Sequence, residues 1–378
     1  MKLNVLFINI PYVGHVNPTL VLAEELVNRG HKVAYILTEE WRNRIEDIGA
    51  EFFPYQDFDE SLTEEQVDEL CYLAAYKTGA AKGSGFDLLI YEAWFFLGEA
   101  LGETLGIPTV RLFTTFALNE NVMDKILQTS TNLCAFMDDN IRKWHTEKLI
   151  GQIEIKEQDF MNEMVYRIPQ LNITFTSRWF QADEQAFDER FKFVGTALSD
   201  GETQLCDGLS EYDGKPLIYI SLGTIYNKHL SFFKSCIKEF ANTEFTVFIS
   251  VGTKCSIQSF GELPDNIYVY AHVDQKKILK KASLFITHGG MNSLNEAIYY
   301  GVPLIVIPQD ADQPFNALRV AELNLGITLK MRNAKHGLYE MAKQVIEDEE
   351  IKKQMKCAQI KQQSAGGVQK AADYVEAL

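Results

Sequence analysis

Short apolar runs rich in β-branched and aromatic residues recur along the whole chain, and stretches with helical periodicity separate them. Continuous apolar runs are typical of strands that are buried on both faces, as in a parallel sheet. Alternation of such strands with helices in both halves predicts an α/β chain with two doubly wound domains. The clearest runs are 3–10, 32–38, 86–92, 109–115, 172–177, 216–223, 245–252, 266–273, 283–290 and 303–308.

The chain has 378 residues, which is more than one ordinary hydrophobic core holds, so two domains are expected. The best candidate for a linker is 198–215, which is rich in Gly, Asp and Ser and carries no apolar period. We therefore predict an N-terminal domain over 1–197 and a C-terminal domain over 216–360. Two helical patterns, over 337–363 and 367–377, end the chain. We assign 361–378 to the final helical segment.

Composition narrows the class of partner. The formal net charge is -16 and no basic run is present, which argues against nucleic acid and against stable association with an anionic membrane. The six cysteines are scattered without metal-ligand spacing, as expected of free thiols in a reducing compartment. No apolar run approaches the roughly 20 residues of a spanning helix. A cytoplasmic protein is expected.

His15 lies in PYVGHVNPTL, after the first predicted strand. Asn17 is expected to cap the following helix, with Pro18 as its first residue. The positive end of a helix disfavours an imidazolium, so His15 should stay neutral and be able to accept a proton from a hydroxyl. The alternative is a loop histidine that simply hydrogen-bonds the helix cap.

Glu92 ends another strand of the same half, in FDLLIYEAWFFLG. Its carboxylate could hydrogen-bond the far nitrogen of His15, which would fix the tautomer and stabilise an imidazolium. It could equally be an acidic residue that favours the start of a helix predicted over 94–105. The residues alone leave both interpretations open.

The second half carries polar residues around strand ends. His288, Gly289 and Gly290 close one strand, and Asn292 and Ser293 open the next helix. Glycines let backbone N–H groups approach a ligand, and the first turn of a helix favours an anion. This stretch therefore predicts a phosphate site. No GxGxxG and no GxxxxGK[ST] pattern is present, which disfavours a nicotinamide cofactor and a P-loop.

Further polar residues fit a sugar nucleotide. Glu296 could take both hydroxyls of a ribose, and Asp312 with Gln313 could take vicinal hydroxyls of a hexose. Favourable placement of acidic residues at helix starts is the alternative for both carboxylates. Thr224 ends a further strand-end turn, ISLGT, whose donors could reach a diphosphate. Asp310 and Asp312 form a DxD pattern, but two carboxylates are a weak metal signal, so no metal is expected.

These motifs together resemble the bacterial members of glycosyltransferase family 1, the macrolide- and flavonoid-glycosylating group of UDP-sugar transferases. The matching stretches are GHVNPTL, ISLGT, and THGGMNSLNEAIYYGVP with DQPFNA, and the similarity spans essentially the whole chain. The resemblance implies the GT-B fold, with two facing Rossmann-like domains, a cleft between them, and a final helix that crosses back to the N-terminal domain.

The resemblance also implies roles for individual residues. His15 would be the general base, and Glu92 falls at the position of its acidic partner. No cofactor and no metal would be needed, because the UDP-sugar is a co-substrate. The residues expected to bind the donor are Thr224, His272, Gln275, His288, Gly290, Asn292, Ser293, Glu296, Asp312 and Gln313.

The sequence departs from the family pattern at several positions. Glu92 replaces the usual Asp, and its extra methylene moves the carboxylate by roughly one bond length. His272 replaces an aromatic residue, often Trp, that stacks on uracil, and an imidazole offers less surface for stacking. Asp274 stands where Pro is usual. The segment between Phe58 and Asp87 is shorter than is common in the family. This region helps to shape the acceptor site, so the resemblance says little about the identity of the acceptor.

The expected function is that of an inverting, metal-independent O-glycosyltransferase. It would move a hexose, with glucose as the first choice, from a UDP-sugar to a hydroxyl of a small, largely apolar phenol, polyketide or macrolide. The aromatic residues Trp94, Phe95, Phe113 and Phe116 would line an acceptor pocket or else belong to the core. The alternatives are a non-catalytic UDP-sugar-binding accessory protein and a GT-B-type sugar-nucleotide epimerase.

Overall fold

A computed structural model describes residues 2–58, 64–130, 162–198, 214–223, 229–334 and 336–378. Contacts divide the chain into two compact units. The first contains the described residues of 1–127 and 133–199 together with 364–378, and the second contains those of 128–132 and 200–363. The predicted linker over 198–215 lies almost entirely outside the described residues.

The first unit is built on a seven-stranded parallel sheet with the order β3-β2-β1-β4-β5-β6-β7. The strands are β1 (Asn4–Ile8), β2 (Lys32–Leu37), β3 (Glu51–Pro54), β4 (Leu88–Glu92), β5 (Thr109–Phe113), β6 (Leu171–Thr174) and β7 (Phe191–Phe193). The helices of this part are α1 (Val13–Asn28), α2 (Arg42–Asp47), α3 (Glu64–Lys82), α4 (Gly98–Leu105) and α5 (Glu120–Thr129).

The second unit holds a six-stranded parallel sheet with the order β10-β9-β8-β11-β12-β13. Its strands are β8 (Leu217–Ser221), β9 (Thr246–Ser250), β10 (Ile267–Tyr270), β11 (Ala282–Thr287), β12 (Leu304–Val306) and β13 (Gly326–Thr328). Its helices are α6 (Leu230–Phe240), α7 (Gln275–Leu279), α8 (Met291–Tyr300), α9 (Gln313–Glu322), α10 (Leu338–Glu347) and α11 (Glu349–Gln363). The last helix, α12 (Gly367–Glu376), belongs to the first unit.

Both sheets have a point at which the strand order reverses. In the first unit the chain moves outward from β1 to β3 and then returns to pair β4 with β1. In the second unit it moves outward from β8 to β10 and returns to pair β11 with β8. Ligands of doubly wound sheets bind beyond the carboxyl ends of the strands at such points. The residues that follow β1, β4, β8 and β11 are therefore the first place to look.

Three strands were not expected from the sequence, and all three lie at sheet edges. They are β3, β7 and β13, and each has only three or four residues. An edge strand pairs on one side only, so it needs no long apolar run. The central strands, by contrast, are buried along nearly their whole length, as in β4 and β8.

Three helix boundaries differ from the expected ones, and the first is that of α4, which begins at Gly98 where a helix over 94–105 was expected. Helix α1 begins at Val13, because the Tyr12 carbonyl accepts from the N–H groups of His15 (2.8 Å) and Val16 (2.9 Å). Asn17 is therefore not the cap, and Pro18 lies inside the helix. The pattern over 337–363 is broken at Asp348, which has extended backbone. Its carboxylate accepts from the N–H groups of Glu350 and Ile351, both at 2.9 Å, and so caps α11.

Among the described residues, no helix is both long and apolar enough to cross a membrane.

Candidate active site

The first group of candidate residues lies at the reversal point of the first sheet. His15 follows β1 and occupies the first turn of α1, not the loop before it as expected. Its backbone carbonyl accepts from the Asn9 amide at 3.1 Å and from the Thr19 hydroxyl at 3.2 Å. These bonds hold the histidine backbone while its side chain keeps 22% of its surface exposed. The imidazole is thus both anchored and accessible.

Glu92, the last residue of β4, faces that imidazole. Its carboxylate is completely buried and lies 3.1 Å from Nδ1 of His15, measured to Oε1. The same oxygen accepts from the Thr114 hydroxyl at 2.9 Å, and Oε2 accepts from the backbone N–H of Trp94 at 2.9 Å. A buried carboxylate requires such donors. Glu92 therefore contacts the histidine and also binds the turn that precedes α4, but it does not lie at a helix start, because α4 begins only at Gly98.

The carboxylate determines which histidine nitrogen carries the proton. An ionised carboxylate only accepts hydrogen bonds, so Nδ1 of His15 is the protonated nitrogen. The lone pair is then on Nε2, the nitrogen that can accept a proton from a substrate. The longer side chain of Glu, compared with Asp, does not prevent this contact.

Thr114 is a member of this group that the sequence reading missed. It directly follows β5, the neighbour of β4, and is buried. Its hydroxyl lies 3.1 Å from Nδ1 of His15 and 2.9 Å from Oε1 of Glu92. A hydroxyl residue at the carboxyl end of the next strand was the available signal, but such residues are common and strand order is not written in the sequence.

The aromatic residues proposed for an acceptor pocket separate into two kinds. Phe95, Phe113 and Phe116 have at most 1% of their surface exposed. Phe113 stacks on Phe191, with ring centroids 6.3 Å apart, and Phe116 packs against Phe180 at 5.5 Å. These three side chains are buried in the core of the unit, which is the second of the two interpretations given for them.

Trp94 differs, because its ring meets the His15 ring edge-on with centroids 6.4 Å apart. Its indole nitrogen is buried and has no hydrogen-bond partner.

The second group lies at the reversal point of the second sheet. His288 follows β11, and Gly289 after it has a left-handed backbone with φ of 88°. Gly290 is the N-cap residue of α8 and supplies no side chain to bond the first turn. Asn292 and Ser293 lie in that turn and are half-buried. The helix start therefore combines backbone N–H groups with short polar side chains, as an anion site requires.

The imidazole of His288 lies against two glycines. A Cβ atom at Gly290 would lie 2.5 Å from Nε2 of His288, and one at Gly223 would lie 2.6 Å from it. Only glycine leaves room for the ring at these two positions. Burial lowers the pKa of His288 to about 4, and a hydrogen bond with the Ser221 backbone opposes the shift. The imidazole is therefore neutral near pH 7, and the single N–H of the neutral ring is the group that donates to the Ser221 backbone carbonyl.

Glu296 and Gln275 form a pair beside this helix start. The Gln275 amide donates to Glu296 Oε2 at 2.8 Å and to the Ser293 hydroxyl at 3.4 Å. Burial raises the pKa of Glu296, and the bond from Gln275 opposes the shift. Gln275 is the first residue of α7, whose N-cap is Asp274. Asp274 accepts from the Lys277 N–H at 3.3 Å, which gives this unusual residue a structural reason.

The other residues expected to bind the sugar donor are His272, Gln313, Asp312 and Thr224. His272 is exposed, between β10 and α7. Gln313 is buried, and its side-chain oxygen accepts from the N–H groups of Gln309 (3.0 Å) and Asp310 (3.4 Å). Asp312 is the N-cap residue of α9, but its side chain accepts no cap hydrogen bond from the backbone of that helix. Thr224 lies outside the described residues.

Asp310, the other half of the DxD pattern, accepts from the Ala311 N–H at 2.8 Å. It thereby stabilises a turn in which Ala311 has a positive φ of 56°. In the described parts of the chain, no group of three or more His, Cys, Asp or Glu side chains is arranged to hold a metal ion.

Comparison with known proteins assigns the family. Residues 236–369 match the family model of the erythromycin biosynthesis protein CIII-like C-terminal domain. The chain is 34% identical over 408 residues to NDP-glycosyltransferase YjiC of Bacillus subtilis, covering 100% of this chain and 97% of that protein. The chain belongs to the bacterial family 1 glycosyltransferases.

Other members of family 1 extend the match. Demethyllactenocin mycarosyltransferase of Streptomyces fradiae is 28% identical over 99% of this chain and 86% of its own length. The crystal structure of CalG4, the calicheamicin glycosyltransferase, matches with a TM-score of 0.81 and 27% identity, covering 100% of this chain and 98% of that one. The expected GT-B fold, with its two Rossmann-like α/β domains, is confirmed.

Proposed function

We propose that this family 1 glycosyltransferase is an inverting, metal-independent O-glycosyltransferase. It moves a hexose, with glucose as the first choice, from a UDP-sugar to a hydroxyl of a small, largely apolar acceptor. The observation that carries the proposal is the contact of 3.1 Å between Nδ1 of His15 and the buried carboxylate of Glu92. A histidine oriented in this way is a general base, and glycosyl transfer to a hydroxyl requires one.

The reaction follows from the orientation of that histidine. Nε2 of His15 takes the proton of the acceptor hydroxyl as its oxygen attacks the anomeric carbon of the donor. The bond from that carbon to the diphosphate breaks, and its electron pair leaves with UDP. Glu92 stabilises the imidazolium that results. A single displacement inverts the configuration, so an α-linked donor gives a β-glycoside.

The second unit supplies the groups for the donor. The start of α8, with Gly290, Asn292 and Ser293, would bind the diphosphate and stabilise the charge that develops on it. Neutral His288 places no positive charge beside the positive end of α8, so it does not oppose that end of the helix. Because these donors are already present for the phosphates, no metal is required.

The rest of the donor has its own set of residues. Glu296 would bind the ribose, while His272 and Gln275 would contact the base. Asp312 and Gln313 would bind hydroxyls of the transferred sugar. Since the Gln313 oxygen is engaged by backbone N–H groups, its amide nitrogen is the group to face the sugar. A relative named as an uncharacterized UDP-glucosyltransferase, YojK of Bacillus subtilis, is 31% identical over 98% of this chain, which supports UDP-glucose.

The names of more distant relatives support a natural-product acceptor. They include the demethyllactenocin mycarosyltransferase and an oleandomycin glycosyltransferase of Streptomyces antibioticus, which is 25% identical over 96% of this chain. Trp94 packs edge-on against His15, so an apolar aromatic ring borders the proposed base and would suit a phenol or polyketide. The substrate is therefore expected to carry its hydroxyl on an apolar frame.

The test is mass spectrometry of reactions that contain UDP-glucose, a panel of phenols and macrolides, and EDTA. The expected result is an acceptor heavier by one anhydrohexose with the wild type, a loss of at least about 10²-fold with His15→Ala, and a smaller loss with Glu92→Ala. His31→Ala is the matched control. His31 also contacts a carboxylate, Glu376, at 2.9 Å in the same unit, but it lies between α1 and β2, and its variant should keep activity.

Two results would contradict the proposal. Tight donor binding without product on any acceptor would favour the accessory protein. A changed sugar nucleotide in the absence of acceptor would favour the epimerase.

A further inference from the structure

Asn316 lies one turn into α9, four residues after Asp312, and its side chain is completely buried. Its backbone N–H donates to the Asp312 carbonyl at 2.9 Å. Its side-chain nitrogen donates to Asp312 Oδ2 at 2.7 Å and to the Gly289 carbonyl at 3.0 Å. A primary amide has two N–H bonds, so both donors are used.

These two bonds join the loops that carry the donor residues. Gly289 lies between His288 and the start of α8, after β11. Asp312 follows β12, which pairs with β11 in the register Thr287 to Val306. An Asp at an N-cap ordinarily accepts from N–H groups of its own helix, yet here the side chain makes no such bond. The carboxylate is held instead by Asn316, at a fixed distance from the loop beside the phosphate site.

Stability alone does not explain an asparagine at this position. The side-chain oxygen of Asn316 is buried and has no hydrogen-bond partner. An unsatisfied buried carbonyl is unfavourable, so it offsets part of what the two donated bonds contribute. A residue with two N–H donors is nevertheless needed wherever a carboxylate and a carbonyl must be held together.

We propose that Asn316 is a positioning residue that orients the Asp312 carboxylate for the hydroxyls of the transferred sugar. This inference rests on the proposed function, in which Asp312 binds the sugar. Asn316 then controls affinity for the sugar half of the donor and leaves affinity for the nucleotide half unchanged.

The experiment is calorimetric titration of UDP-glucose and of UDP into the wild type, Asn316→Ala, Asp312→Ala and the double variant. Asn316→Ala should raise the Kd of UDP-glucose by about tenfold, as expected for loss of one charge-assisted hydrogen bond. The Kd of UDP should not change. The double variant should bind UDP-glucose no more weakly than Asp312→Ala, because a residue that acts through Asp312 has no effect without it.

Asn316→Asp gives a second signature. It replaces the two N–H donors of the amide with a carboxylate that repels Asp312. At pH 8 it should therefore weaken the binding of UDP-glucose more than Asn316→Ala does. The loss should diminish at pH 5, where one of the two carboxyl groups takes a proton. A purely structural defect would not recover in acid. If Asn316→Ala does not fold, Asn316→Ser retains one donor and allows the same comparison.

Gln362→Glu is the matched control, because it makes the same amide-to-carboxylate change at another buried site of this unit. Gln362 donates to Asn295 at 3.0 Å, and its variant should leave both Kd values unchanged. Equal weakening of UDP and UDP-glucose by Asn316→Ala, or additive losses in the double variant, would overturn the inference. If the enzyme transfers sugar but the Asn316 variants bind UDP-glucose as tightly as the wild type, only this inference is wrong. If the Asn316 variants bind UDP-glucose more weakly but the enzyme transfers no sugar, only the proposed function is wrong.

Discussion

At the residue scale, the hydroxyl of Thr114 contacts both members of the His15–Glu92 pair. Glu92 has one more rotatable bond than Asp, so a single contact would leave its carboxylate poorly fixed. Bonds from Thr114 and from the Trp94 backbone hold both oxygens in place. The orientation of His15, the proposed general base, therefore depends on three parts of the first unit.

Thr114→Val should lower kcat by about tenfold, because the change keeps the side-chain shape but removes one donor to a buried carboxylate, a loss of about 1–2 kcal/mol. The KM for the donor should not change, because Thr114 contacts no proposed donor residue. Thr104→Val is the control. Thr104 is bonded to Tyr76 and Ala100 in the same unit, and its variant should keep kcat. An unchanged kcat in Thr114→Val would mean that Glu92 needs no help from this hydroxyl.

At the element scale, the start of α8 requires a residue without a side chain at Gly290. Gly290 has an extended backbone with φ of -62°, which any residue can adopt, so glycine is not needed there for backbone reasons. It is needed because the ring of His288 occupies the space of a Cβ atom. Strand β11, its loop and α8 together thus place the imidazole beside the backbone N–H groups of the first helical turn.

Gly290→Ala should displace the His288 ring and weaken UDP binding by about tenfold or more, while overall stability falls by only about 1–2 kcal/mol. Titration with UDP and thermal unfolding are the two measurements. His288→Ala provides the reference, because the added methyl group has no ring to displace in that background. If adding Gly290→Ala to the His288→Ala variant weakens UDP binding further, the steric explanation is wrong.

At the scale of the whole molecule, the chain ends in the unit where it began. The guanidinium of Arg29, at the end of α1, donates to Asp373 (2.9 Å), to Glu376 (2.7 Å) and to the Gln369 carbonyl (2.9 Å) of α12. Glu376 also contacts His31, and hydrogen bonds from His31 and Arg29 lower the pKa of this carboxyl. These contacts join residues more than 300 positions apart.

Arg29→Ala should destabilise the docking of α12 by about 1–2 kcal/mol, since one partly buried guanidinium makes several bonds. Hydrogen exchange should accelerate in α12 and at the end of α1, and not in β8–β13. Arg42→Ala is the matched control. Arg42 pairs with Glu39 and Glu46 on the exposed surface of its own segment, so its loss should have little effect. Equal acceleration in the second unit would contradict this assignment of α12.

The sequence by itself determined the two α/β sheets and the residues at the ends of their central strands. Continuous apolar runs mark buried strands, and glycine and polar residues mark where they end, so β1, β4, β8 and β11 were located with His15, Glu92 and His288. The short edge strands β3, β7 and β13 were missed because they need little apolar sequence. The start of α1 was missed because a backbone carbonyl, that of Tyr12, accepts its first bonds.

Only the tertiary structure decided which distant side chains meet. Thr114 reaches His15 and Glu92 because β5 lies beside β4 and β4 beside β1, and strand order depends on packing of the whole sheet. Asn316 reaches Gly289 for the same reason in the second unit. Phe95, Phe113 and Phe116 are core residues because the sheet and its helices cover them, which an aromatic composition cannot reveal. A local pattern specifies an element, whereas a contact between elements depends on how all of them pack.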